Sequence, residues 1–97
     1  MKLRPILDGE NLIGYMFFCP GCKEPHSYFT VKLKPESPVW NFNGNLESPT
    51  FSPSLIYRHL RLCHLFLTDG QLHFLADCHH ELKSTTVPLA EWPEGWR

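Results

Sequence analysis

No apolar run in this sequence approaches the roughly 20 residues that a membrane-spanning helix needs, so no membrane span is expected. Net charge is also scarce, at −1 with the histidines neutral. That balance argues against a surface built to coat nucleic acid or an anionic membrane. The first residues, MKLRPILDGENLIGYMFF, put Pro5, Asp8, Gly9, Glu10 and Asn11 where a secretory signal needs an apolar core. Long uninterrupted stretches are missing as well. Nine prolines and six glycines cut the 97 residues into short pieces, which excludes long helices. The sequence shows no Gly-rich phosphate loop, no local Ser/His/Asp motif and no second Cys-x-x-Cys pair. These absences point to a single cytoplasmic domain over 1–97, with a core over about 12–90 and a loosely held tail over 91–97. Trp92 and Trp96 of that tail could pack back onto the domain.

What remains between the breaks is rich in aromatic and β-branched residues. LIGYMFF (12–18), SYFTVKL (27–33), VWNF (39–42), FSPSLIY (51–57), LCHLFLT (62–68), QLHFLAD (71–77) and STTVPL (84–89) read as strands. NFNGN and TDGQ carry Asn-Gly and Asp-Gly, the favoured centres of two-residue hairpin turns. Ser-Pro at 37–38, 48–49 and 52–53 biases the chain to extended geometry and argues against a central strand there. The expected fold is a small all-β sheet or barrel stabilised by zinc, with room for one short helical turn over 78–83.

Centring a hairpin on Asp69-Gly70 makes Thr68 face Gln71, Leu67 face Leu72, Leu65 face Phe74 and Cys63 face Ala76. Side chains alternate along strands. One face then carries Cys63, Leu65, Leu67, Leu72, Phe74, Ala76, Cys78 and His80. The other carries His64, Phe66, Thr68, Gln71, His73, Leu75, Asp77 and His79.

Four cysteines in a chain without a secretory signal favour a metal site over disulfides. CPGC (19–22) makes a tight knuckle that aims two thiolates at one point, as a tetrahedral zinc requires. A redox pair would sit at a helix start after a strand. The following KEPHSYFTV starts no helix. Cys63 is the natural third ligand. Strand alternation favours Cys78 or His80 as the fourth, because they share its face. A bulge at the strand start would let His64 turn to the metal instead. His26 is a further candidate, whereas His59, His73 and His79 read as hydrogen-bonded structural residues.

FFCPGCKEPH, WNFNGNLESPTFSPSL and CHLFLTDGQLHFLADCHHELKSTTVPL together resemble a family of small phage and prophage proteins of unknown function. Its members read CPGCxxxH, WxFNGxxxxPTFxPS and CHxFxxDGxIxFLxDCxHxLxGxTVxL. Some carry the label ammonia monooxygenase, for which these residues suggest no mechanism. The resemblance covers about residues 15–90 and departs at Ser84, where the pattern has Gly. It implies a phage origin and a place in the host cytoplasm. A looser related pattern, with Cys and His just before the aromatic strand, implies His64 as the fourth ligand; the expected set is Cys19, Cys22, Cys63 and His64, with Cys78 and His80, which strand alternation favours, as alternatives.

A structural zinc contributes about 10–16 kcal/mol of apparent binding free energy, comparable with the 5–15 kcal/mol typical of a whole domain. The expected function is therefore a structural Zn2+ protein that binds a host or phage protein through the aromatics of 40–55. Packing of Trp40, Phe42 and Phe51 over one sheet face is the plainer reading of that segment. The alternative is a zinc-dependent hydrolase-like enzyme, with Asp77, Cys78 and His80 supplying base and nucleophile beside the metal. Nucleic acid is the weakest partner class, resting on the short basic stretch Arg58, His59, Arg61 and His64 beside Tyr57.

Overall fold

A computed structural model describes residues 1–59 and 61–95. Eight strands form two antiparallel sheets, and no helix occurs among the described residues. The first sheet runs β1 (Arg4–Asp8), β2 (Asn11–Cys19) and β3 (Glu24–Phe29), in that order. The second runs β4 (Asn41–Phe42), β5 (Phe51–Arg58), β6 (Leu62–Thr68), β7 (Gln71–Phe74) and β8 (Thr86–Pro88). No helix here is long and apolar enough to cross a membrane.

The alternation read from the sequence sets the core. Cys63, Leu65 and Leu67 of β6 point inward while Phe66 stays exposed. Leu72 and Phe74 of β7 join them, and Phe17 and Tyr28 close the core from the first sheet. Each such fully buried apolar side chain contributes about 1.5–3 kcal/mol. Aromatic stacking joins the two sheets: the Tyr28 and Phe51 rings lie 4.2 Å apart and almost parallel, and Phe42 stacks on Phe51 at 4.6 Å. Trp40 packs edge-on to Tyr28 and donates its indole N–H to the Ser54 carbonyl at 3.2 Å. The aromatics of the segment 40–51 are thus packed, while its loop residues 43–47 are exposed.

Asp69 and Gly70 both adopt positive φ, 50° and 74°, as the two-residue hairpin turn requires. The pairs Leu65–Phe74, Leu67–Leu72 and Thr68–Gln71 follow. Beyond Phe74 the strand ends, so Ala76 does not face Cys63 in a ladder. The chain instead folds through turns held by Cys78 N–H to Leu75 O and Ser84 N–H to Leu75 O.

Other expectations need correction. Arg4–Asp8 is a strand that the sequence reading passed over, turning into β2 through Gly9 at φ 64°. The expected strand 27–33 lies earlier, at Glu24–Phe29. Asn43-Gly44 is not a two-residue hairpin centre. It belongs to a longer loop in which the Asn45 side chain accepts from the Glu47 and Ser48 amides. Pro53 does lie within a strand that has neighbours on both sides, but at an irregularity where its missing N–H is tolerated. Trp92 is buried, lies under the Arg4 guanidinium at 4.3 Å, and donates its backbone N–H to Met1 O. Trp96 falls outside the described residues.

Candidate metal centre and Ser–His–Asp line

The knuckle at 19–22 is built by the end of β2 and the turn into β3. Lys23 takes φ 60° and donates its N–H to Cys19 O at 2.7 Å, closing the turn. The Cys22 amide points at Cys19 Sγ, 3.4 Å away. Both sulfurs face the start of β6. There the ligand atoms of Cys19, Cys22, Cys63 and His80 all lie within 4.8 Å of one another, and all four residues are buried. Cys63 Sγ and His80 Nε2 are 3.4 Å apart. Tetrahedral zinc, with Zn–S near 2.3 Å and Zn–N near 2.0 Å, would set such a pair at about 3.5 Å. All four cysteines are free of disulfides.

Gly21 makes room for the imidazole. A Cβ there would come within 2.3 Å of the His80 ring, so only glycine lets this ring seat on the knuckle. Burial lowers the His80 pKa, favouring the neutral ring that ligates metals. The Leu82 amide donates to His80 Nδ1 at 3.2 Å. Metal held through Nε2 requires the proton on Nδ1, so that contact would be given up. Without a cation the thiols share poorly. The hydrogen bond with Cys63 holds Cys19 down to about 4, against the effect of burial, while burial pushes Cys22 up to about 12. Cys63 is pushed up by the same hydrogen bond with Cys19. This donor set, soft, buried and charge-poor, is one that a divalent cation would complete.

His64 does not join the cluster, contrary to the ligand set that the resemblance implies. Cys63 points into the core and its neighbour points to the opposite face of the strand. Cys78 also stands apart. Its sulfur accepts from the His64 N–H at 3.2 Å and donates to the His64 O at 3.1 Å, so it clamps that residue's backbone. His26, buried beneath the knuckle, donates through Nδ1 to Pro25 O and helps keep the Cys19 thiol low, but lies outside the four. His73 and His79 are hydrogen-bonded to Thr86 Oγ1 and the Leu62 amide.

On that opposite face His64 meets two partners that sequence reading did not connect. Its Nε2 lies 3.2 Å from Ser54 Oγ, and its Nδ1 lies 3.1 Å from Asp77 Oδ2. The Ser54 hydroxyl can donate to Nε2 while Nδ1–H donates to Asp77, the arrangement of a Ser–His–Asp triad. A β5 irregularity makes this possible. Phe51 pairs with Leu67 but Leu55 pairs with Leu65, so β5 advances four residues (51 to 55) while β6 advances two (67 to 65). The extra length lets Ser54 reach His64, whose ladder partner is Ile56. Asp77 therefore serves His64. The hairpin alternation had already put His64 and Asp77 on one face; no sequence signal placed Ser54 there.

A compact two-sheet β domain with the side-chain geometry of a serine-hydrolase triad on its surface and a metal-competent cluster behind it is the class that fold and site define. Sequence comparison narrows this. Over residues 6–75 the chain matches, and so belongs to, the family described as the bacterial ubiquitination-like system serine protease (BubE). The matched span includes Cys19, Cys22, Ser54, Cys63 and His64 and stops short of Asp77 and His80. No curated protein and no solved structure matches the chain.

Proposed function

We propose that this chain is a serine peptidase in which Ser54 is the nucleophile, His64 the general base and Asp77 the group that orients His64. The hydrogen-bonded line Ser54 Oγ–His64 Nε2, His64 Nδ1–Asp77 Oδ2 carries the reading. The family description, a serine protease, supports it independently. Ser54 Oγ attacks the scissile carbonyl carbon as its proton passes to His64 Nε2. Asp77 stabilises the imidazolium and keeps Nδ1 as donor. His64 then returns the proton to the leaving amine, and water hydrolyses the resulting Ser54 ester by the reverse relay.

Cys19, Cys22, Cys63 and His80 would hold Zn2+ as a structural ion. Three thiolates and an imidazole fill a tetrahedron and leave no position for a reacting water, which favours the triad over the metal-centred use of Asp77, Cys78 and His80. Four free cysteines suit a reducing compartment, so the cytoplasm is the proposed location, and the phage resemblance makes it that of a phage-infected or prophage-carrying host. The proposed partner is a protein substrate of a ubiquitination-like system rather than a protein bound without chemistry.

A fluorophosphonate added to the intact protein tests the reading. It should modify Ser54, located by peptide mass spectrometry, and should fail on Ser54→Ala and His64→Ala. A folded parent that takes up no label, or takes it on another residue, would remove Ser54 as nucleophile.

A further inference from the structure

The groove that begins next to Ser54, at Leu55, lies between two strand edges that are open, at least in part, among the described residues. β3 is the outer strand of its sheet. On β5, β4 pairs only with Phe51 and Ser52, so among the described residues Leu55–Arg58 has β6 on one side and no strand on the other. Every second residue of such an edge points its N–H and C=O outward. Between the two edges runs a cavity of about 340 Å³ lined by Leu33, Pro38, Trp40, Leu55, Ile56 and Tyr57. Leu33 and Ile56 remain half-exposed there, at 47% and 49%. Leu55 and Ile56 follow the nucleophile directly, Ile56 sits opposite His64 in the ladder, and Trp40 hydrogen-bonds the Ser54 carbonyl.

We infer that this groove binds the substrate polypeptide as an extended segment that adds to the β5 edge and places apolar side chains between Leu33, Trp40 and Ile56. The inference rests on the triad reading above, because continuity with Ser54 is what assigns the groove to substrate. Strand addition supplies main-chain hydrogen bonds irrespective of sequence, and the pocket between alternate residues supplies selectivity. At a rise of about 3.3 Å per residue, the stretch from Ser54 to Tyr57 accommodates roughly three substrate residues. Pairing with the edge also sets the scissile carbonyl in register with Ser54, which precedes the lining residues Leu55 and Ile56 on β5. Apolar lining with half-exposed leucine and isoleucine matches a substrate carrying Leu, Ile, Val or Phe on one side of the cut.

Digestion of a synthetic library of random ten-residue peptides tests this, with fluorophosphonate labelling of the same parent sample reporting on Ser54 alone. Cut sequences should be enriched in Leu, Ile, Val or Phe within three residues on one side of the scissile bond. Leu33→Glu, which lies away from the triad, should lower kcat/KM on the best-cut peptide at least about 10-fold, the order that an apolar pocket discriminates, with melting temperature and metal content unchanged. Leu33→Ser serves the same purpose if the glutamate variant does not fold. Labelled Ser54 combined with indiscriminate cutting, with no peptide cutting, or with unaltered kinetics in the Leu33 variants would overturn the groove while leaving the triad standing. A dimer in sedimentation that Leu33→Glu dissolves without affecting cutting would assign the groove to a second copy and also overturn it. Absence of both labelling and cutting would overturn the triad, and the groove with it.

Discussion

Cys63 and His64 are neighbours in β6, yet one lies fully buried among sulfurs and the other has a fifth of its side chain in water. The same division recurs across the loop, where His80 is buried and the Asp77 side chain is 54% exposed. Two clusters therefore share two short segments, 63–64 and 77–80, and face opposite ways. The inner one has every donor turned to a common point and only weak contact with solvent. The outer one is partly open to solvent, with its three members in a hydrogen-bonded row. Burial suits a site that holds the fold together. Partial exposure suits a site that must meet another molecule. The shared segments also make the first a support for the second: whatever fixes Cys63 and His80 fixes the backbone that carries His64 and Asp77.

Removing one inner ligand should have the largest effect. Cys22→Ser leaves three donors, and because binding free energy of about 10–16 kcal/mol is folding free energy in such sites, the variant should be unfolded or melt far below the parent in calorimetry. Triad labelling should vanish with it. If Cys22→Ser melts near the parent temperature, the inner cluster is not a staple and the contrast between the two sites collapses.

The outer site should break differently. Asp77→Asn should leave melting and metal content at parent values while lowering kcat. A buried orienting carboxylate controls about 10^4-fold; half-exposed Asp77 should control less, on the order of 10^2-fold. A variant that loses metal or stability would mean that Asp77 belongs to the structural set.

How much of this division was legible beforehand varies by residue. The knuckle was legible because two cysteines and a Pro-Gly turn are local. So was the Asp69-Gly70 hairpin, whose alternation separates Cys63, Cys78 and His80 from His64 and Asp77. The structure keeps Cys63 and His64 on opposite faces because β6 is regular, whereas Asp77, Cys78 and His80 lie beyond the ladder and are placed by turns. The resemblance to a looser motif pulled His64 inward against this geometry, and His64 faces outward. Ser54 was illegible for a physical reason: its position depends on the irregularity between Phe51 and Leu55, where side-chain alternation no longer holds. Arg4–Asp8 escaped because Pro5 and the Asp8-Gly9 turn look like loop until β2 supplies a partner.

Two smaller changes sharpen the comparison at its joints. Gly21→Ala puts a methyl group into the His80 ring, so a competition titration should show weaker metal binding, by about 10-fold or more if the ring shifts enough to cost about 1.4 kcal/mol. Unchanged affinity would mean that His80 is not a ligand. Cys78→Ala removes the sulfur that clamps the His64 backbone and should lower kcat several-fold, with Cys78→Ser, which keeps donor and acceptor, recovering most of the loss. Equal kinetics in both variants would show that the clamp does not position His64.

X-ray absorption at the zinc edge of the purified parent protein tests most directly the claim that the inner site is closed and structural while chemistry belongs to the outer one. The account predicts one zinc per chain with three sulfurs near 2.3 Å and one imidazole nitrogen near 2.0 Å, retained unchanged in Ser54→Ala and in His64→Ala. A coordinated water, or a nitrogen shell lost in His64→Ala and retained in His80→Ala, would contradict it.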